Sequence, residues 1–311
     1  MSLVKNKLQN PQKLDNEQLS IDYLLEQIKE KPKKKSLYWQ LVKLVSRKKF
    51  DISDHELWQL KSLDNFAPNN ELDWLANYAI YNVETRINNH RELSKHNCKI
   101  VSLGSNCMSR TIPTRWGLKL SKSMGELTHP FDLSIHPYNS VCQVIENEFQ
   151  DYLDPILLKK NHNGVPKHKK YQIVFNHERD SYFSQNNFRQ LIKIYEARIK
   201  NFYHDVNKYS IIFLYFNKPK ENIFPLELAK IIQNKFKEVN HKLLYINTGE
   251  KNFGPDDSQF PENLIAKHIR LPSEDYNWSQ PQHYATEPGK NFELSIIEAI
   301  KQVLIDYFPK N

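Results

Sequence analysis

The chain has 311 residues, a net charge of +8 from 44 Lys+Arg against 36 Asp+Glu, three cysteines and a mean hydropathy of −0.69. That length exceeds one minimal domain and buries a sizeable core. No apolar run approaches the roughly 20 residues of a membrane-spanning helix, and an odd cysteine count behind a polar start, MSLVKNKLQN, argues against a secreted disulfide scaffold. The expectation is a cytoplasmic protein with reduced thiols and no transmembrane segment. Lysines are spread among abundant Asn and Gln with no nucleic-acid-binding motif, so no nucleic-acid partner is expected.

All seven glycines lie at or after Gly104. That asymmetry predicts an α-helical N-terminal region over 1–95 and an α/β domain over 96–311. In the first region apolar residues recur at helical spacing: Ile21, Leu24, Leu25 and Ile28; Leu37, Leu41, Leu44 and Val45; Leu57, Leu60 and Leu63; Leu72, Leu75, Ala76, Ala79 and Val83. The rhythm suggests helix pairs of a helical-repeat module. Its aromatic residues, Trp58 among them, read as core, and its helices as a docking surface for a protein partner.

From residue 98 the pattern changes. Candidate strands at 99–103, 171–175, 210–216, 242–247 and 264–270 alternate with helical patterns at 139–152, 187–203, 226–239 and 292–307. Such alternation predicts an α/β fold, a mostly parallel sheet with helices on both faces, whose site lies beyond the carboxyl ends of the strands. Two segments meet that rule, SLGSNC after the first strand and FNHERD (175–180) after the second.

In KIVSLGSNC (99–107) an apolar run breaks at Gly104 and delivers a cysteine on the turn. Cys107 is the candidate nucleophile, with Gly104, Ser105 and Asn106 as turn and oxyanion residues. His177, at the expected end of another strand, is the candidate base. A thiol and imidazole in hydrogen-bond range can form a thiolate–imidazolium pair. Asp132, in HPFDLSIHP, is the first choice to orient the imidazole, with Glu178 and Asp180 nearby. Cys98 and Cys142 read as structural, and Pro113 keeps any helix after Cys107 short or kinked. The aromatic, proline-punctuated stretch 274–293 reads as a substrate loop, offering Trp278 and Tyr284 for binding and His283 and Asp275 as a reserve base and partner. There is no HExxH, CxxC pair or glycine-rich phosphate loop, and His129, Asp132 and His136 lack a ligand spacing, so neither metal nor cofactor is expected.

The order SLGSNC, PFDL (130–133), FQDYLD (149–154), FNHE (175–178) and YEARIKNF (195–202) resembles an uncharacterised bacterial family described as putative papain-like cysteine peptidases. The resemblance covers about residue 98 to the C-terminus and implies a Cys107 nucleophile, a His177 base and a supporting Asp132. The alternating α/β order departs from papain itself, in which the cysteine opens a long helix and the histidine lies on an antiparallel sheet. The leading expectation is therefore a cysteine-dependent hydrolase acting on a peptide, acyl or glycan substrate. Alternatives are an acyltransferase built from the same parts; an SGNH-like esterase on a surface glycan using Ser105, since SLGS is similar to the GDS block of those enzymes; and a non-catalytic glycan- or nucleotide-binding scaffold. A nucleotide-dependent glycosyltransferase is a further option.

Overall fold

The computed structural model describes residues 20–45, 58, 60, 73–217, 223, 225–249 and 260–310. The chain divides into two compact units, 1–80 and 81–311. In the first, helices α1 (Ile21–Glu30) and α2 (Lys35–Val45) pack as a hairpin. Ser20 caps α1 by accepting the Tyr23 N–H at 3.1 Å. Its apolar stripe, Ile21, Leu24, Leu25 and Ile28, is buried as the helical period requires. The expected helix around Leu57, Leu60 and Leu63 lies largely outside the described residues. Trp58 and Leu60 are helical, but Trp58 is 67% exposed and is not a core residue. Helix α3 (Asp73–Leu93) spans the division between the units.

The second unit is α/β. Strands β1 (Cys98–Gly104), β4 (Ser210–Asn217), β5 (His241–Asn247) and β6 (Leu264–His268) form one parallel sheet in the order β1-β4-β5-β6. A separate antiparallel hairpin pairs β2 (Leu158–Lys160) with β3 (Pro166–His168). Residues alternate between the sheet's two faces. Val101, Leu103, Ile211, Phe213, Tyr215, Leu243 and Tyr245 share one core with α5 (Tyr138–Glu146), α6 (Arg189–Lys208) and α7 (Leu226–Lys235). Ile100, Ile212, Leu214, Leu244 and Ile246 are buried on the opposite face. There α8 (Glu287–Tyr307) packs against β5, and α4 (Met108–Arg115) lies at the β1 edge. Burial on both faces explains why these strands read as continuous apolar runs.

Two elements differ from the sequence expectation, both for backbone reasons. The run 171–175 is not a strand of the sheet: Gln172 takes a positive φ of 55°, which breaks the extended run, and only Val174 pairs, in isolated bridges to Ile135 and Lys167. The helix expected to reach residue 152 stops at Glu146, because Glu148, Phe149 and Asp151 all turn to positive φ. Among the described residues no helix is long and apolar enough to cross a membrane.

Candidate active site

Gly104 ends β1 with φ 115°, a conformation that side chains resist. The chain then turns out of the sheet's carboxyl edge. Ser105 stays tied to the edge, its N–H donating to the Phe216 carbonyl at 3.3 Å and its carbonyl accepting the His136 N–H at 2.9 Å. Asn106 accepts the Met108 N–H on its side-chain oxygen at 2.8 Å. Cys107 is thereby placed as the N-cap of α4, where its carbonyl takes the Thr111 N–H at 2.8 Å. Helix α4 contains Pro113 and spans only 8 residues. Gly117 follows it with φ 82°, where a Cβ would lie 2.2 Å from the Arg86 carbonyl oxygen.

His177 arrives by a different route from an adjacent strand tip. Ser105 bridges His136, the neighbouring Ile135 bridges Val174, and both partnerships are antiparallel. Through these two links the loop carrying Asn176 and His177 folds over the turn carrying Cys107. The Cys107 sulfur and His177 Nε2 stand 3.1 Å apart. Cys107 is half-buried and His177 exposed, so the pair faces solvent.

Burial pushes the Cys107 thiol up to about 11. Hydrogen bonds from the Asn176 side chain and the Cys107 main chain oppose the rise, while the charges of Asp132 and Glu178 add to it. Partial burial pulls the His177 imidazole below its ordinary value; Glu178 counteracts this, and Arg179, Arg198 and Arg110 reinforce it. Both shifts favour a neutral thiol beside a neutral imidazole over a preformed thiolate–imidazolium pair. Cys98 and Cys142 are buried, and burial pushes each of their thiols up to about 12. All three cysteines are unpaired.

Asp132 is fully buried and does not bond His177. It is ion-paired with Arg110 and accepts the His129 N–H at 2.8 Å. Glu178 is buried too, held by Arg198 at 2.8 Å and the Tyr195 hydroxyl at 3.2 Å. Tyr195 and Arg198 lie one turn apart on α6, so that helix presents a polar stripe to the site. Asn176, Arg110 and Arg198 were not singled out from sequence. The available hint was the presence of FNHE and YEARIKNF among the short motifs that carry the family resemblance, the second containing both partners of Glu178.

The same stripe of α6 continues to Asp205, which His129 Nε2 reaches at 3.0 Å and His204 Nδ1 at 3.1 Å. Burial raises the Asp205 carboxyl, but these histidines and Lys99 outweigh it and hold the carboxyl at about 2, below the ordinary 3.8. A depressed folded-state pKa contributes stability that is complete above the unfolded value and is lost as pH falls toward 2. Asp205→Asn is accordingly expected to flatten the loss of stability between about pH 4 and pH 2, read from denaturant midpoints across that range. An unchanged acid limb would contradict the assignment.

The loop residues proposed for substrate gather elsewhere. Arg115, at the far end of α4, donates to the Trp278 carbonyl at 2.5 Å and lies over the Tyr284 ring at 3.6 Å. Tyr284 is buried there. His283 packs edge-on to Tyr276, and Asp275 is exposed beside it. With a rise of about 1.5 Å per residue, α4 separates this group from Cys107 by roughly 12 Å. Among the described residues no three His, Cys, Asp or Glu side chains are arranged to hold a metal ion.

Residues 98–248, from the start of β1 to just past β5, match a family described as putative papain-like cysteine peptidase. The matched segment contains Cys107, Asn176, His177 and Arg198. No curated protein and no solved structure matches the chain.

Proposed function

We propose, on the premise that residues 98–248 belong to the family described as putative papain-like cysteine peptidases, that the protein is a cysteine-dependent hydrolase of a peptide or related acyl substrate, with Cys107 as nucleophile and His177 as base. The observation that carries this reading is the 3.1 Å separation of sulfur and Nε2 at a solvent-facing turn. As the sulfur attacks the carbonyl carbon, the thiol proton passes to His177 Nε2. The Cys107 N–H and the Asn176 amide, which both counteract the rise of the thiol, are the donors for the developing oxyanion in this scheme. Collapse expels the leaving amine, which takes the proton from His177, and water activated by the same imidazole releases the acyl group. A sugar hydroxyl or amine in place of that water would make the product an acyl transfer.

Asp132 acts as a positioning residue in this scheme. It fixes Arg110 and the 129–136 loop, whose far end supplies the bridges to Ser105 and Val174. Ser105 is 1% exposed with both main-chain groups bonded, which favours the cysteine over a serine nucleophile. Three unpaired thiols suit a reducing compartment, and the proposed location is the cytoplasm.

The pH profile of alkylation tests the scheme. Because the imidazole titrates below 6.5 and the thiol near 11, Cys107 labelling is expected to rise once on the acid side, level off through neutrality, and rise again in strong alkali. Competition between water and sugar acceptors for the acyl group then separates hydrolysis from transfer. Equal, slow labelling of all three cysteines would end the proposal in favour of a non-catalytic scaffold.

A further inference from the structure

Charged side chains surround the Cys107–His177 pair. Arg110, Arg179 and Arg198 all act on the imidazole, and Asp132 and Glu178 both act on the sulfur. Asp132 neutralises Arg110, and Glu178 neutralises Arg198 at 2.8 Å. Arg179 is left over: among the described residues no carboxylate lies in ion-pair range of it. Its Nε–H donates to the Asn176 carbonyl at 2.5 Å, which anchors the exposed guanidinium to the loop that carries His177. Its two terminal nitrogens remain for a ligand. Arg198, whose Nη2 donates to Glu178, also keeps a buried Nη1 without a hydrogen-bond partner.

We infer that the site selects an acyl substrate carrying a carboxylate close to the scissile carbonyl, such as an acidic or carboxy-terminal peptide bond, and that Arg179 is the residue that receives it. This rests on the cysteine-nucleophile reading above and adds the substrate class. A guanidinium held at Nε offers a planar, two-pronged donor that matches a carboxylate. The Arg179 guanidinium, with no carboxylate in ion-pair range among the described residues, also disfavours a cationic group at the same place.

The full-length protein can be tested with two alkylating agents that share a leaving group, iodoacetate and iodoacetamide. In each case the sulfur–CH2 bond forms as the carbon–iodine bond breaks, iodide departs, and the thiol proton passes to His177 Nε2. They differ in carrying a carboxylate or a neutral amide next to the reacting carbon. In the wild type iodoacetate is expected to modify Cys107 at least as fast as iodoacetamide. Arg179→Gln is expected to lower the iodoacetate-to-iodoacetamide rate ratio about tenfold, with Arg179→Lys falling between. Selective labelling of Cys107 with a ratio that Arg179→Gln does not change overturns the substrate class alone. Labelling of Cys107 no faster than Cys98 and Cys142 by either reagent overturns the nucleophile, and this inference with it.

Discussion

His177→Ala is expected to slow alkylation of Cys107 at pH 7.5, and hydrolysis of any amide substrate, by roughly 10²–10⁴-fold, the usual range for a lost general base. The large effect follows from the thiol's position. With its pKa pushed up to about 11, Cys107 has almost no thiolate of its own at neutral pH, so its reactivity depends on the imidazole 3.1 Å away. The acid limb and the neutral plateau should vanish in the variant, leaving only the rise in strong alkali. His283→Ala serves as the control, since that residue sits at the opposite end of α4. A variant that labels at the wild-type rate at pH 7.5 would remove His177 from the mechanism.

Glu293→Ala is expected to be the most destabilising single change at a charged residue. Glu293 is fully buried on α8 and is bonded by three donors: it pairs with Arg115, accepts the Trp116 indole N–H at 2.7 Å and accepts the Tyr276 hydroxyl at 2.9 Å. Removing one partner from such a group strands a buried guanidinium, at a cost of about 3–5 kcal/mol. For a unit of this size that corresponds to a fall in Tm of about 10 °C. Glu293→Gln, which keeps the shape and two of the acceptor contacts, should lose less. Thermal unfolding followed by circular dichroism measures both, and a shift in Glu293→Ala of under about 2 °C would show that the network carries little stability.

The parallel sheet was legible because its strands are buried on both faces, and a run such as IIFLYF has no other reading at that length. The segment 171–175 looked equally apolar, and Tyr171, Ile173 and Phe175 are indeed buried, but against helices and loops rather than in the sheet. Apolar alternation reports burial; it does not report which backbone pairs with which. The candidate site divides along the same line. Cys107 and His177 were visible because each follows an apolar run and each is an unusual residue for a turn. Arg110 and Arg198 were not, because a charged residue on a helix reads as solvated surface until its distant partner is known, and Asn176 was not, because a loop amide reads as a turn residue. Arg198 and Glu178 belong to different elements, and only the folded chain closes that ion pair. Trp278 and Tyr284 acquire a neighbour that the sequence did not reveal. An aromatic loop before a long helix suggested a binding surface, whereas the Arg115 guanidinium occupies the Tyr284 ring face.

The two bridges that join Ser105 to His136 and Ile135 to Val174 divide the polypeptide between Cys107 and His177 into parts with different freedom. The tethers 105–107 and 174–177 determine how far apart the reactive atoms come to rest, so adding or deleting a single residue there would turn one group away from the other. The stretches 108–134 and 137–173 run between those bridged positions. Lengthening an exposed bend within them, such as the turn at Gly164, would leave the spacing of the reactive atoms intact. Insertions inside those stretches would therefore remodel the surface around the Cys107–His177 pair while leaving the pair itself unchanged.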